Sequence, residues 1–348
     1  MSNYLQKAKG SLQKAKSSLQ KTEGSDDEFA IIDRYFKPLY AAAPGVQKGP
    51  GDDSAVLAPP AGTEICATTD TLIEGVHLPC QVSGRVAAGR ALGANLSDLA
   101  AMGAEPYALL LALTLPKVRH DWLDDFSRTI KELSADYGAP VVGGNLARGD
   151  LSITVTALGT VPAGQAIYRN GASAGEDIYI TGSIGDAGVG LKLSQGTGVG
   201  TDASAVGHPE LLARYEQPCP RLATGQGLRG MATAMIDVSD GLLADAGHLL
   251  AASGIGGEMD LALVPLSDAL RQAGVTGAAE VANLGDDYEL CFTAPVAKAE
   301  AISQLAAKTG VAITKIGETN AGTELHLHKD GKPVQSAGTG YNHFAEPS

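Results

Sequence analysis

Ser83-Gly-Arg-Val-Ala-Ala-Gly-Arg-Ala-Leu-Gly-Ala-Asn-Leu-Ser-Asp-Leu-Ala-Ala-Met-Gly103 reads as one helix, with Leu92, Leu96 and Leu99 recurring on a single face. Its other positions are mostly Ala and Gly, and such small residues let a helix lie close against a sheet. Working outward, Ser54 to Ala58 and Glu64 to Thr69 are short apolar runs bounded by Pro and Gly, the pattern of strands. Downstream come a strand over Tyr107 to Leu115, stopped by Pro116, a helix over Trp122 to Tyr137, and strands over Ala139 to Gly143 and Leu151 to Leu158. Strands interleaved with helices predict an α/β (α+β) fold.

A chain of 348 residues exceeds what one core usually supports, so two domains are expected. Composition turns to Pro, Gly and polar residues from about Val161 to Gly175, which divides the chain into an N-terminal domain (26–162) and a C-terminal α/β domain (163–348). Residues 1–25 repeat Leu-Gln-Lys every seven residues with one apolar residue per heptad, too few for a coiled-coil seam, and read as a solvated basic leader. A short amphipathic helix follows, from about Asp27 to Tyr40. In the C-terminal part, strands are expected at Asp177 to Thr181, Ala234 to Val238, Gly256 to Asp260, Tyr288 to Thr293, Ile313 to Gly317 and Glu324 to His328. Helices are expected at Gly185 to Gln195, Glu210 to Tyr215, Arg221 to Gly230 and Val296 to Lys308, another begins after Asp240-Gly241, and Gly196 to Gly207 reads as a loop.

The net charge is -13 although the first 25 residues carry five Lys against one Glu, so the body of the chain is more acidic still. Such a body repels a nucleic-acid backbone, which argues against DNA or RNA as a partner. Cys66, Cys80, Cys219 and Cys291 are scattered, without a Cys-x-x-Cys pair, which fits reduced thiols in a cytoplasmic protein. No apolar run reaches the ~18 residues of a membrane span, and no signal-peptide core is present.

The chemistry-bearing residues fall at four acidic stations: Gly49-Pro-Gly-Asp-Asp-Ser54, Ala67-Thr-Thr-Asp-Thr71, Asn95-Leu-Ser-Asp98 and Ile236-Asp-Val-Ser-Asp-Gly241. No Lys or Arg occurs from Gly49 to Glu74, so Asp52, Asp53 and Asp70 lack local basic partners. Carboxylates gathered without cations need solvent or a metal, and hard divalent cations in phosphoryl-transfer sites take oxygen ligands. Convergence of all four stations on one phosphate-and-magnesium site is therefore the expectation. Each has a plainer reading beside it. Asp52-Asp53 suits a turn, Thr68-Thr69-Asp70 ends a predicted strand where an Asp can cap, Asp98 can serve a buried hydrogen bond, and Ser239 or Asp240 can cap the next helix. Only Asp237 is left without one.

Gly182-Ser-Ile-Gly-Asp-Ala-Gly can offer backbone N–H groups to an anion, yet it has neither the Gly-Lys-Ser/Thr of a P-loop nor dinucleotide-fingerprint spacing. Any ATP must then be held through metals and scattered basic residues such as Arg148 and Arg169. No Gly-x-Ser-x-Gly elbow, helical His pair or nucleophilic Cys context supports covalent catalysis.

Taken together, Gly51-Asp-Asp-Ser-Ala, Thr68-Thr-Asp-Thr-Leu-Ile-Glu-Gly-Val-His77, Asn95-Leu-Ser-Asp-Leu-Ala-Ala-Met-Gly103, Ile236-Asp-Val-Ser-Asp-Gly-Leu242, Asp286-Asp-Tyr-Glu-Leu290 and Gly340-Tyr-Asn-His-Phe344 resemble the thiamine-monophosphate kinase family, part of the aminoimidazole-ribonucleotide synthetase-like ATP-binding superfamily. The resemblance runs in order from about Glu28 to the C-terminus. It implies transfer of the ATP γ-phosphoryl to thiamine monophosphate, with several Mg²⁺ ions and no protein nucleophile, in a homodimer formed through N-terminal domains. By motif it implies Asp52 or Asp53, Thr68, Thr69, Asp70, Asp98, Asp237 and Asp240 as metal ligands, Asn145 standing at a further metal position. It implies Gly144, Asn145, Arg169 and Ser239 as nucleotide contacts, and His77, Asp286 and Tyr341 as substrate contacts. Two departures stand out: Gly143-Gly-Asn145 where the family often has Gly-Gly-Asp, and Gly285-Asp-Asp-Tyr-Glu289 where it usually has Gly-Glu-Asp-Tyr-Glu. A selenophosphate synthetase would call for a reactive Cys before Cys66, and a hydrogenase-maturation relative for a C-terminal Cys. Neither is present. A binding protein that kept the fold without turnover is the non-enzyme alternative.

Overall fold

The computed structural model describes residues 27–197 and 207–334. The basic leader, most of the Gly196–Gly207 loop and Tyr341 lie outside the described residues.

The long Ala/Gly helix is the molecule's spine. It spans Gly84–Ala101 (α2) and is buried on nearly every side, with Ser83 Oγ accepting from the Val86 N–H to cap its start. A helix apolar all round must be covered all round. The first domain covers one side with β3 (Thr63–Ile73), β4 (Glu105–Leu115), β5 (Val141–Arg148) and β6 (Ser152–Pro162), joined in the order β3-β6-β4-β5. All pairs are antiparallel except β4 with β5. Helix α3 (His120–Asp136) packs beside α2 and seats Trp122, Phe126 and Ile130 in the core. A helical segment that begins as α1 (Glu28–Ile31) and continues to Leu39 lies against α3. The strand expected at Ser54 to Ala58 is the short β2 (Val56–Leu57), and it forms a small hairpin with β1 (Val46–Lys48), a strand not anticipated from sequence.

The second domain covers the other side of α2. Its seven-stranded sheet runs β13-β12-β9-β11-β7-β10-β8, from β7 (Asp177–Thr181), β8 (Ala234–Asp237), β9 (Gly256–Asp260), β10 (Leu290–Ala294), β11 (Ile313–Asn320), β12 (Leu325–Lys329) and β13 (Lys332–Val334). Its helices are α4 (Asp186–Ser194), α5 (Pro209–Glu216), α6 (Leu222–Gly227), α7 (Leu242–Ser253), α8 (Asp268–Gln272) and α9 (Ala299–Thr309). Helix α6 crosses α2 so closely that a Cβ at Gly225 would sit 2.1 Å from the Ala100 carbonyl oxygen. One apolar core therefore runs from the first sheet through α2 to Met235, Leu290 and Phe292 of the second.

The α/β expectation holds, with informative differences at element ends. Strand β3 does not stop at Thr69 but pairs with β6 as far as Ile73, so Asp70 is inside a strand rather than at its tip. The β-branched run Thr68, Thr69, Thr71, Ile73 and a partner of equal length sustain it. The strand expected from Tyr288 begins only at Leu290, because Asp286 (φ 72°) and Tyr288 (φ 51°) are left-handed and break the ladder.

Candidate active site

Strand alternation sorts the second acidic station. Thr68 and Asp70 face α2, while Thr69 and Thr71 point to the opposite face, where they pair with Thr156 and Thr154 of β6. Thr69 is thus separated from Asp70 by the sheet itself. On the α2 side, Thr68 Oγ1 donates to Asp98 Oδ2 at 2.5 Å, and the Asp70 N–H donates to Asn95 Oδ1 at 3.1 Å. Asn95 is fully buried and returns its amide to the Ala91 carbonyl, so it latches helix to strand. One residue before Asp98, Ser97 Oγ donates to Asp237 Oδ2 at 2.8 Å, reaching from the first domain to the end of β8.

Three carboxylates from distant parts of the chain thereby share one poorly solvated region. Burial first, then the charge of Asp98, pushes Asp70 up to about 6. Burial and Asp98 likewise push Asp237 up to about 7, against the opposing Ser97 hydroxyl and Arg169. Burial also raises Asp98, with the Thr68 hydroxyl and Arg169 pulling the other way. Each acid is held where its charged form is disfavoured, and Arg169 is the cation that offsets the last two. Among the described residues no three or more His, Cys, Asp or Glu side chains are already gathered as a metal cage. Asp98 and Asp237 instead each accept one hydroxyl, from Thr68 and Ser97 respectively. Hard oxygen donors short of positive charge fit a divalent cation bound together with phosphate oxygens.

Ser239 and Asp240 follow β8. Neither caps α7: the cap position is Gly241 (φ 118°), and the N–H groups of Ser239, Asp240 and Gly241 all donate to Asp245 Oδ2 at 3.0, 3.0 and 3.1 Å. Asp245, inside the helix, thus does the capping and leaves the Asp240 carboxylate for other work. Sequence reasoning missed it, although a lone Asp in a Leu/Ala first turn is the same signal that marked Asp98. The 285–289 segment is stitched to this strand end: the N–H of Asp286 donates to Ser239 O and that of Tyr288 to Val238 O. Asp287 accepts from the Gly185 and Ala187 N–H groups at the start of α4. Glu289 is fully buried between Arg214 and Arg221 and accepts the Thr181 hydroxyl as well.

Other expected residues stand apart. His77 sits in the turn after β3, its Nδ1 accepting the Ile73 N–H at 3.2 Å, seven residues beyond Asp70. Asp52 and Asp53 are exposed in the β1–β2 loop, and Asp52 pairs with Lys48 at 3.4 Å, a cation just outside the stretch that looked free of basic residues. The Asp53 N–H and Lys48 hold Asp52 below its usual range. That loop lines a cavity of about 590 Å³ together with Phe36, Gly144 and Asn145. A Cβ at Gly144 would lie 1.9 Å from the Leu111 carbonyl oxygen, so glycine is required there. Asn145 belongs to the cross-strand row Thr71–Thr154–Ala112–Asn145, on the face opposite Asp70, and β5 lies three strand spacings, roughly 14 Å, from β3. Within one chain the four stations therefore form two groups: Asp70, Asp98, Asp237 and Asp240 around α2, and Asp52 and Asp53 with Asn145 by the hairpin. The single convergence expected from sequence does not occur inside one chain, because strand order and alternation place the groups on different faces.

Comparison with known proteins bears on what these groups do. The AIR synthase related protein N-terminal domain family matches residues 51–161, and the corresponding C-terminal domain family matches residues 173–330. The thiamine-monophosphate kinase of Escherichia coli (strain K12) is 42% identical over 323 residues, covering 92% of this chain and 99% of that protein. The crystal structure of thiamine-monophosphate kinase from Stenotrophomonas maltophilia K279a superposes with a TM-score of 0.78 at 38% identity, covering 88% of this chain and 98% of the other. A structure of AaThiL complexed with AMPPCP and TMP superposes with a TM-score of 0.71 at 28% identity, over 91% and 97% of the two chains.

Proposed function

Because this chain belongs to the AIR synthase related family and, within it, to the thiamine-monophosphate kinases, we propose that it transfers the γ-phosphoryl group of ATP to the phosphate of thiamine monophosphate, giving thiamine diphosphate and ADP. The observation that carries this reading is the buried set Asp70, Asp98 and Asp237, fixed by Thr68 and Ser97 against one helix and short of positive charge.

In the reaction an oxygen of the acceptor phosphate bonds to the γ-phosphorus as the bond to the β–γ bridging oxygen breaks, and ADP leaves with that electron pair. Two polyanions must meet beside carboxylates, so positioning and charge neutralisation dominate the barrier. Asp70, Asp98, Asp237 and Asp240, with Thr68, would hold Mg²⁺, which when bound would offset the charge of the phosphates. The chain's own work is orientation. Thr68 and Ser97 fix one oxygen of Asp98 and Asp237, Asn95 fixes the strand that carries Asp70, and Asp245 shapes the Ser239–Gly241 turn. Arg169 and Ser239 serve the nucleotide, while Asp286, His77 and Tyr341 serve the thiamine phosphate; Asn145, on the opposite face of the first sheet, and its neighbour Gly144 stand outside this set within one chain.

Homodimerisation through the first domain belongs to the same proposal. The sheet face away from α2 exposes Ile65, Ile73 and Leu110 among paired threonines, a face that a second copy would cover. No helix among the described residues is long and apolar enough to cross a membrane.

A coupled ADP-release assay comparing thiamine monophosphate, thiamine and aminoimidazole precursors, with Mg²⁺ and with a chelator, tests the reading. Turnover is expected only with thiamine monophosphate and Mg²⁺. Asp70→Asn should abolish it with an unchanged circular dichroism spectrum, and full activity in that variant removes Asp70 from the metal site.

A further inference from the structure

Arg90 is a guanidinium almost wholly buried in the middle of α2, 2% exposed. Its Cζ lies 4.0 Å from the Tyr215 ring centroid, Nη1 donates to the Tyr215 carbonyl at 2.9 Å, and Nη2 donates to Asp286 Oδ1 at 2.8 Å. Among the described residues Nε has no partner, so Asp286 is the sole carboxylate that neutralises this cation. A buried arginine cannot give up such a partner without leaving an uncompensated charge, and that makes the pair a lock rather than a passing contact.

The lock acts on an unusual loop. Asp286 and Tyr288 are both left-handed without being glycine, a conformation that persists only where the surroundings enforce it. Backbone bonds to Val238 and Ser239 enforce it from one side, and Arg90 from the other. The Tyr288 hydroxyl also falls on Asp286 Oδ1, at 3.3 Å, so both bonds take the same oxygen and, among the described residues, leave Oδ2 available. Arg90 stands eight residues before Asp98 on one helix, about 12 Å along its axis.

We propose that Arg90 is a positioning residue for the substrate: by pinning Asp286 Oδ1 it presents Oδ2 to the positively charged heterocycle, at a distance from the phosphate end that α2 itself sets. This rests on the reading of Asp286 as a thiamine-phosphate contact. Arg90 touches no reacting atom and acts through Asp286 alone.

The test is a double-mutant cycle on the full chain with Arg90→Met, Asp286→Asn and the pair, measuring kcat and the KM for thiamine monophosphate and for ATP separately. Each single variant should raise the KM for thiamine monophosphate roughly 10- to 100-fold, the range of a hydrogen bond to a charged group, and leave the KM for ATP unchanged. The double variant should be no worse than the worse single, because both break the same contact. Arg90→Lys, which keeps the charge but cannot hold Asp286 and the Tyr215 carbonyl together, should fall between wild type and Arg90→Met. If Arg90→Met does not fold, the cycle is run with Arg90→Lys, and sub-additivity is again the expected result. Additive losses, or equal rises in both KM values, overturn the positioning role. A normal KM in Arg90→Met beside a raised one in Asp286→Asn overturns the Arg90 proposal and leaves the substrate assignment standing. A normal KM in Asp286→Asn overturns the substrate assignment of Asp286 instead.

Discussion

Replacing Asp237 by Asn should stabilise the metal-stripped protein while destroying its activity. The Asp237 side chain is buried at the end of β8, and its carboxyl is pushed from an ordinary 3.8 up to about 7 by that burial and by Asp98. The displacement corresponds to roughly 4 kcal/mol disfavouring the charged form in the folded state. The sign follows from proton linkage. Below the unfolded value both states are protonated and nothing is lost. As pH climbs toward 7 the unfolded chain ionises while the folded one stays protonated, so stability falls, and above 7 the full cost is present. Asn cannot ionise, and its amide oxygen can still accept the Ser97 hydroxyl. Its advantage over Asp should therefore grow with pH, being about 3 kcal/mol larger at pH 8 than at pH 5. Urea unfolding of chelator-treated wild type and Asp237→Asn at pH 5, 6.5 and 8 measures this, with equal m-values required for the comparison. A gain that does not change with pH, or a variant less stable than wild type at pH 8, would refute the account of a carboxylate kept under electrostatic stress for function.

Glu289→Gln leaves the Arg214 and Arg221 guanidiniums without their buried counter-charge and should cost about 3–5 kcal/mol in chemical denaturation; a loss below about 1 kcal/mol would show that the pair is not desolvated as the burial indicates. Asp245→Ala takes the shared acceptor from three backbone N–H groups, so kcat should fall and the 239–241 amides should exchange faster with deuterium, while unchanged exchange would deny the capping role. Ile65→Lys puts a charge on the open sheet face and should shift the chain from dimer to monomer in light scattering; a variant with wild-type mass would place any self-association elsewhere.

Much of the fold was legible because it rests on local pattern. The Leu92, Leu96, Leu99 stripe, the Ser83 cap and the β-branched runs state their secondary structure within a few residues of themselves. Where such reading erred, a distant partner had decided. Strand β3 outran its predicted end because β6 offers it eleven paired positions, and the strand at Tyr288 started late because Ser239 and Val238 hold the loop in a left-handed shape. At the site, the oxygen-rich motifs were visible as residue types, but their plainer readings could not be separated from function. Asp245 carried only the weak signal of a lone Asp in an apolar helical turn, and nothing in the sequence says what Glu289 or Arg90 meets, since an Arg among alanines says nothing of what lies across a domain boundary.

By itself the chain's order of residues determined the α/β class, the acidic balance, the two-part division and the family likeness, all properties of composition and short-range periodicity. Tertiary structure alone decided which oxygens meet: that Asp70 and Asp98 face Asp237 across α2, that Thr69 and Asn145 look the other way, and that Arg90 reaches Asp286 from another domain. The reason is geometric. Strand alternation and sheet order turn a difference of one residue into a difference of face, and burial turns an ordinary carboxylate into one that needs a cation.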